Sequence, residues 1–130
     1  MYIPANNLKM HIRAAGSGPR AVIFIHGNSC SADYWDEQLN DPALQRSFRL
    51  IAIDLPGHGS SDKSPDYSLK FLSGILAQLI RNLSLNSYIL CGLSYGTALI
   101  AETAPGLAGC RGFFLASPNI TSDAHPPSSY

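Results

Sequence analysis

The stretch Gly92-Leu93-Ser94-Tyr95-Gly96 narrows the folds open to this chain more than any other five residues in it. It follows a β-rich apolar run, Ser87–Cys91, and leads straight into a small-residue helix candidate that reaches about Ala104. A G-x-S-x-G pattern has structural meaning in that strand–turn–helix setting, where the serine sits on a sharp turn at the end of a strand. The turn strains the backbone, and glycines on either side remove Cβ atoms that would crowd it. Ser94 then projects clear of the sheet, with the Tyr95 amide behind it at a helix N-terminus, where negative charge is favoured. Ser94 is therefore the candidate nucleophile.

The rest of the chain supplies the sheet that such a turn needs. Leu8–Ala14 alternates apolar and polar residues (Leu8, Met10, Ile12), as a half-buried strand does, until Gly16-Ser17-Gly18-Pro19 breaks it. Ala21–Ile25 and Phe48–Ile53 are continuous apolar runs suited to strands buried on both faces. Between them the sequence predicts a helix over about Tyr34–Gln38 and a second near Pro42–Arg46, where Pro42 fits a first-turn position. From the N-cap candidate Ser68 to Leu83, the residues Leu69, Leu72, Leu76, Leu79, Ile80 and Leu83 form one apolar stripe, which predicts a helix packed on the sheet. Gly112–Ala116 reads as a last strand. The remainder, 118–130, has no periodicity and two adjacent prolines, and reads as a tail.

Buried strands alternating with helices predict an α/β fold, a mostly parallel sheet covered by helices on both faces. Ligands in such sheets sit outside the carboxyl ends of the strands. Parallel strands lie about 4.8 Å apart, so the loops at His26-Gly27-Asn28-Ser29, at Asp54–Ser61 and at Ser94 should crowd one edge.

Composition removes several function classes. Charged residues make up only 14% of the 130, and nine basic side chains cancel nine acidic ones, which argues against nucleic acid or an anionic membrane as partner. No apolar stretch approaches the roughly 20 residues of a membrane span, and the N-terminus lacks the pattern of a signal peptide. Cys30, Cys91 and Cys110 are odd in number and widely spaced, so neither a disulfide framework nor a metal site is expected. Reduced thiols and a cytoplasmic location follow as the economical reading, with Cys91 in the core. No cofactor is expected, because the chemistry needs only side chains and water.

On His26-Gly27-Asn28-Ser29, Asp54-Leu55-Pro56-Gly57-His58-Gly59-Ser60-Ser61 and Gly92-Leu93-Ser94-Tyr95-Gly96, each directly after a buried strand, the chain resembles the N-terminal portion of an α/β-hydrolase over about residues 8–117. The resemblance implies a partial α/β-hydrolase fold and a serine hydrolase of an ester-like, acyl small-molecule substrate. It assigns Ser94 as nucleophile and the backbone amides of Asn28 and Tyr95 as oxyanion hole. His26, Gly27, Gly92, Gly96, Asp54, Gly57, His58 and Gly59 become residues that shape the motifs, although His26 and His58 each keep a second reading as a base. Serine at position 94, where dehalogenase-like relatives use aspartate, favours acyl chemistry.

The family order is nucleophile, then acid, then histidine, and only 36 residues follow Ser94. A further βαβ repeat takes roughly 30 residues or more, so the expectation is a single domain, 1–130, truncated on its C-terminal side and lacking the later strands and the lid. Asp123 and His125 occur in the right order for acid and base, but in a Pro-rich tail with nothing to hold them. Serine is a weak nucleophile without a base, so the chain is expected to be inactive alone. A complementing C-terminal chain, or self-association, would cover the open edge of the last strand. The alternative is a non-catalytic truncated product or a module that binds small molecules or protein.

Overall fold

The computed structural model describes residues 1–117. Asp123 and His125 lie outside the described residues.

Ala21–Ile25 and Phe48–Ile53 form strands within a residue of their expected limits, as β3 (Arg20–Ile25) and β4 (Phe48–Ile53). They follow β1 (Tyr2–Ala5) and β2 (Leu8–Ala15) and precede β5 (Tyr88–Leu93) and β6 (Cys110–Ala116). The six strands make one sheet in the order β1-β2-β4-β3-β5-β6. Pairings β4–β3, β3–β5 and β5–β6 are parallel, whereas β1–β2 and β2–β4 are antiparallel. β3 is thus flanked by β4 and β5. That order sets the three motif loops side by side at the carboxyl ends of neighbouring strands, where the sequence puts them.

β1 has no counterpart among the strands that the sequence predicts. It is short and carries Pro4, and it is held by a two-residue turn in which Asn6 and Asn7 take φ of 47° and 65°. Both values belong to a tight hairpin turn, and asparagine tolerates them better than most residues.

Helices cover both faces. On one side α3 (Leu69–Asn82) and α4 (Tyr95–Thr103) pack over the larger core. Ser68 caps α3, its side chain accepting from the Phe71 amide at 3.3 Å. The buried stripe of α3 is broader than the spacing suggests, because Ile75 is fully buried beside Leu72, Leu76, Leu79 and Ile80. Buried Ser73 and Thr103 share a hydrogen bond of 2.9 Å that pins α3 to α4. The other face packs Phe24, Leu50 and Ala52 against Ala32, Trp35 and Leu39. There the expected Tyr34–Gln38 helix is a 3-10 turn, Ala32–Trp35, running into α1 (Asp36–Leu39). Next, α2 (Pro42–Ser47) starts with Pro42, behind an Asp41 cap that accepts from the Ala43 and Leu44 amides.

β6 is the outer strand of the described sheet, and it leaves Phe113 and Phe114 more than half exposed. By register Phe113 lies beside Leu90 and Phe114 beside Cys91, so one ring stands on each face.

Candidate active site

Ser94 takes φ 51° and ψ −115°, a conformation that L-residues with a Cβ rarely adopt. It closes β5 and opens α4, and its own amide donates to the Ala116 carbonyl of β6 at 3.0 Å. Its carbonyl accepts from both the amide (2.9 Å) and the hydroxyl (2.6 Å) of Thr97, which locks the first turn of α4. Two glycines permit this approach. A Cβ on Gly96 would lie 2.5 Å from the Ile25 carbonyl oxygen, and one on Gly92 would lie 2.6 Å from Ile100 Cδ1. The strain leads to a first prediction. Ser94→Gly should raise unfolding stability by about 1 kcal/mol, strain relief of roughly 1–3 kcal/mol exceeding the entropy of a new glycine. Ser94→Ala should bring no such gain. A denaturant midpoint for Ser94→Gly at or below that of Ser94→Ala would refute stored strain at this position.

The loop after β3 lies against the serine. A Cβ on Gly27 would sit 3.2 Å from Ser94 Cβ and 3.8 Å from the Tyr95 amide nitrogen, so the loop backbone packs closely against the serine. Asn28 comes next and is half-buried. Ser94, Gly27 and the start of α4 therefore share one corner, and Asn28 leaves it.

His26 is fully buried, with both ring nitrogens engaged. Nδ1 is 2.6 Å from the Gly27 carbonyl and must donate to it, while Nε2 accepts from the Leu55 amide at 3.0 Å. That pair fixes a neutral tautomer. Burial, the dominant cause, pushes its pKa below the ordinary histidine value, and the charge of nearby His58 pushes the same way. With no lone pair to spare, His26 ties the β3 and β4 loops together and cannot serve as base. The His58 ring lies tilted beside it, ring centroids 5.1 Å apart, and Nδ1 donates to the Pro56 carbonyl at 3.0 Å.

Asp54 is the second buried hub. Oδ1 accepts from the Ala32 amide at 2.7 Å, and Oδ2 accepts from the Ser60 amide at 3.1 Å and from His11 Nδ1 at 2.8 Å. Burial favours the neutral acid, but those donors together outweigh it and hold the carboxyl below its ordinary pKa. Gly57 and Gly59 both take positive φ in the loop that wraps this carboxylate. At Gly59 a Cβ would occupy the carboxylate's own space. His11 carries no signal of this role in the sequence. It stands on a strand 43 positions away, and no local pattern marks its ring as facing Asp54.

Cys91 is half-buried against the smaller core, and burial raises its thiol to about 11, which keeps it protonated and unreactive at neutral pH. Among the described residues, no group of three or more His, Cys, Asp or Glu is placed to hold a metal ion. Two surface hollows lie elsewhere, between the Asn6-Asn7 turn and the Gly74 face of α3, and neither is lined by Ser94, Tyr95 or Asn28.

Fold and site together define a class: α/β proteins with a strained serine at a strand-to-helix elbow and a glycine-bearing loop packed against it. Within that class the chain matches the model of the alpha/beta hydrolase family over residues 22–129, and it belongs to that family. It is 41% identical over 106 residues to esterase Rv0045c of Mycobacterium tuberculosis, covering 75% of this chain and 33% of the esterase. It is 34% identical over 101 residues to bifunctional epoxide hydrolase 2 of Sus scrofa, covering 75% of this chain and 18% of that protein. Among solved structures, the epoxide hydrolase VrEH1 of Vigna radiata superposes with a TM-score of 0.83 at 23% identity, over 98% of this chain and 40% of its own. The chain thus spans a third or less of these two curated relatives, and the described sheet is one part of the larger fold. No helix among the described residues is long and apolar enough to cross a membrane.

Proposed function

We propose that this chain is the nucleophile-bearing portion of a serine hydrolase acting on a small-molecule acyl ester. The observation that carries the reading is the backbone of Ser94, strained at φ 51° on the strand-to-helix turn with Gly27 against it. In the reaction, Ser94 Oγ attacks the carbonyl carbon. The developing oxyanion is held by the amides of Tyr95 and Asn28, the alkoxide leaves with a proton, and water then cleaves the acyl-serine. Removing one oxyanion donor typically costs on the order of 10²–10³ in rate. The relatives include both esterases and epoxide hydrolases. Chemistry separates them. A serine that opened an epoxide would be left as an ether, which water does not hydrolyse, whereas an acyl-serine ester turns over.

The base is assigned outside residues 1–117. His26 has both nitrogens committed, and among the described residues the ring bonds of His11 and His58 run to Asp54 and Pro56, with none to Ser94. Within the chain Asp123 and His125 are the candidates for acid and base, in a Pro-rich tail whose sequence gives nothing to hold them, and a complementing C-terminal segment is the other source. Such a segment, or a second copy, would also cover Phe113 and Phe114 on the outer strand. The truncated single domain and the cytoplasmic location belong to the same proposal.

The test pairs a fluorophosphonate probe with an activated ester, on the chain and on Ser94→Ala. The chain alone is expected to hydrolyse the ester no faster than Ser94→Ala, since a triad lacking a member retains only about 10³–10⁴-fold catalysis over water. Fast, Ser94-dependent turnover would overturn the need for an outside base, and His125→Ala would then show whether the tail supplies it. If Ser94 stays unlabelled even with a complementing segment added, a binding module replaces the hydrolase.

A further inference from the structure

We propose that Asp54 is a positioning residue for the loop that carries the Asn28 amide, and that His11 braces its carboxylate from β2. The proposal rests on the reading of Asn28 as an oxyanion donor.

The loop after β3 is held at two points. At its start, the Gly27 carbonyl accepts from His26 Nδ1 at 2.6 Å. At its end, the Ala32 amide donates to Asp54 Oδ1 at 2.7 Å. Between these pins Asn28 and Ser29 form a turn, in which Ser29 takes φ 61°. The direction of the Asn28 amide is then set by where the two pins stand. One pin is the Asp54 carboxylate, which is 4% exposed.

That carboxylate gathers three donors from three separate segments: Ala32 after β3, Ser60 after β4, and His11 on β2. Only an acceptor on both oxygens satisfies all three, which an ionised carboxylate does and an amide does not. His11 fixes the rotation of the group, because Oδ2 is drawn to its ring and Oδ1 is thereby turned toward Ala32. The His11 ring is itself kept in place, its backbone amide donating to Ser61 Oγ at 2.8 Å and its edge meeting the Tyr2 ring at 5.1 Å. A residue on a strand with no part in the chemistry thus reaches the candidate oxyanion hole through one side chain.

The experiment reads single amides in the ¹⁵N-labelled chain, comparing it with Asp54→Asn and with His11→Phe, which keeps a ring against Tyr2 but removes the donor. In Asp54→Asn the Ala32 amide should exchange about tenfold faster or more, as expected for a lost buried bond, and the Asn28 resonance should shift. His11→Phe should move both amides in the same direction by less. A role confined to global stability would lower the melting temperature and leave the native Asn28 resonance in place. A folded Asp54→Asn chain with Asn28 unmoved overturns the positioning role. An unmoved Asn28 in His11→Phe overturns the brace, and that variant decides the matter alone if Asp54→Asn does not fold. None of these readouts needs a reactive serine. Failure of Ser94 to label would defeat the hydrolase reading and leave the loop result standing, whereas labelling with an unmoved Asn28 would defeat this proposal alone.

Discussion

Gly96→Ala should cost about 3–5 kcal/mol of unfolding stability, far more than the same change at Gly92, at about 1–2 kcal/mol. Both glycines belong to the same elbow and both lack space for a Cβ, so the sequence alone gives no reason to rank them. The surroundings do. At Gly96 the new methyl would meet the Ile25 and His26 carbonyl oxygens at 2.5 and 2.9 Å, and both are backbone atoms at the end of β3, the strand between β4 and β5. Nothing there rotates out of the way. Relief would require α4 to withdraw from the sheet, breaking the contact that puts Ser94 beside Gly27. At Gly92 the closest atom is Ile100 Cδ1, the far end of a flexible side chain, with Gly96 backbone atoms at a milder 3.1 Å. A domain of this size has on the order of 5–15 kcal/mol in total, so Gly96→Ala would spend a large share of it. Urea midpoints for the two variants check the ranking, and equal losses would mean that α4 yields more readily than its backbone contacts imply.

This contrast marks how far the sequence reaches. The elbow, the two buried strands and the α3 stripe are legible because each is a local pattern whose physical cause lies within a few residues. The convergence of the His26, Asp54 and Ser94 loops follows from one further rule, that parallel strands deliver their carboxyl ends to one edge. What stayed hidden depends on distant partners. Asp54 reads locally as the first residue of a turn-rich loop, and its bonds to Ala32 and His11 span 22 and 43 positions. The β1 hairpin was obscured differently. Four residues with a proline and an exposed Tyr2 make a weak strand signal. His26 shows a third case, in which the resemblance assigned the residue to the motif's shape but could not say what it bonds. The two bonds of its ring decide that.

His26→Ala should destabilise the fold by about 3–5 kcal/mol, because it leaves a cavity together with a buried carbonyl and a buried amide that lose their partner. The wild-type residue also makes stability depend on pH, in a direction that its environment fixes. Burial holds the folded pKa below the ordinary value, while the unfolded chain titrates near 6.5. As pH falls below about 6.5 the unfolded state takes up a proton that the folded state refuses, so protons favour unfolding. The contribution of His26 is therefore fully present above that pH and is lost as pH falls toward the folded pKa, by up to about 1.4 kcal/mol per unit. Asp54, also depressed in the fold, acts in a separate window, since its unfolded pKa lies near 3.9 and its contribution is lost only as pH falls below that. The two effects do not overlap between pH 5 and 8. Denaturant midpoints across that range, for wild type and for the milder His26→Gln, isolate the histidine, because every other titrating group is common to both chains. The wild type should lose stability relative to the variant between pH 7.5 and 5.5, by up to about 1.4 kcal/mol. Parallel curves would mean that His26 accepts a proton in the folded state, which the bond from the Leu55 amide to Nε2 forbids. The same bond removes His26 from the list of bases for Ser94, so a single titration bears on both the fold and the chemistry.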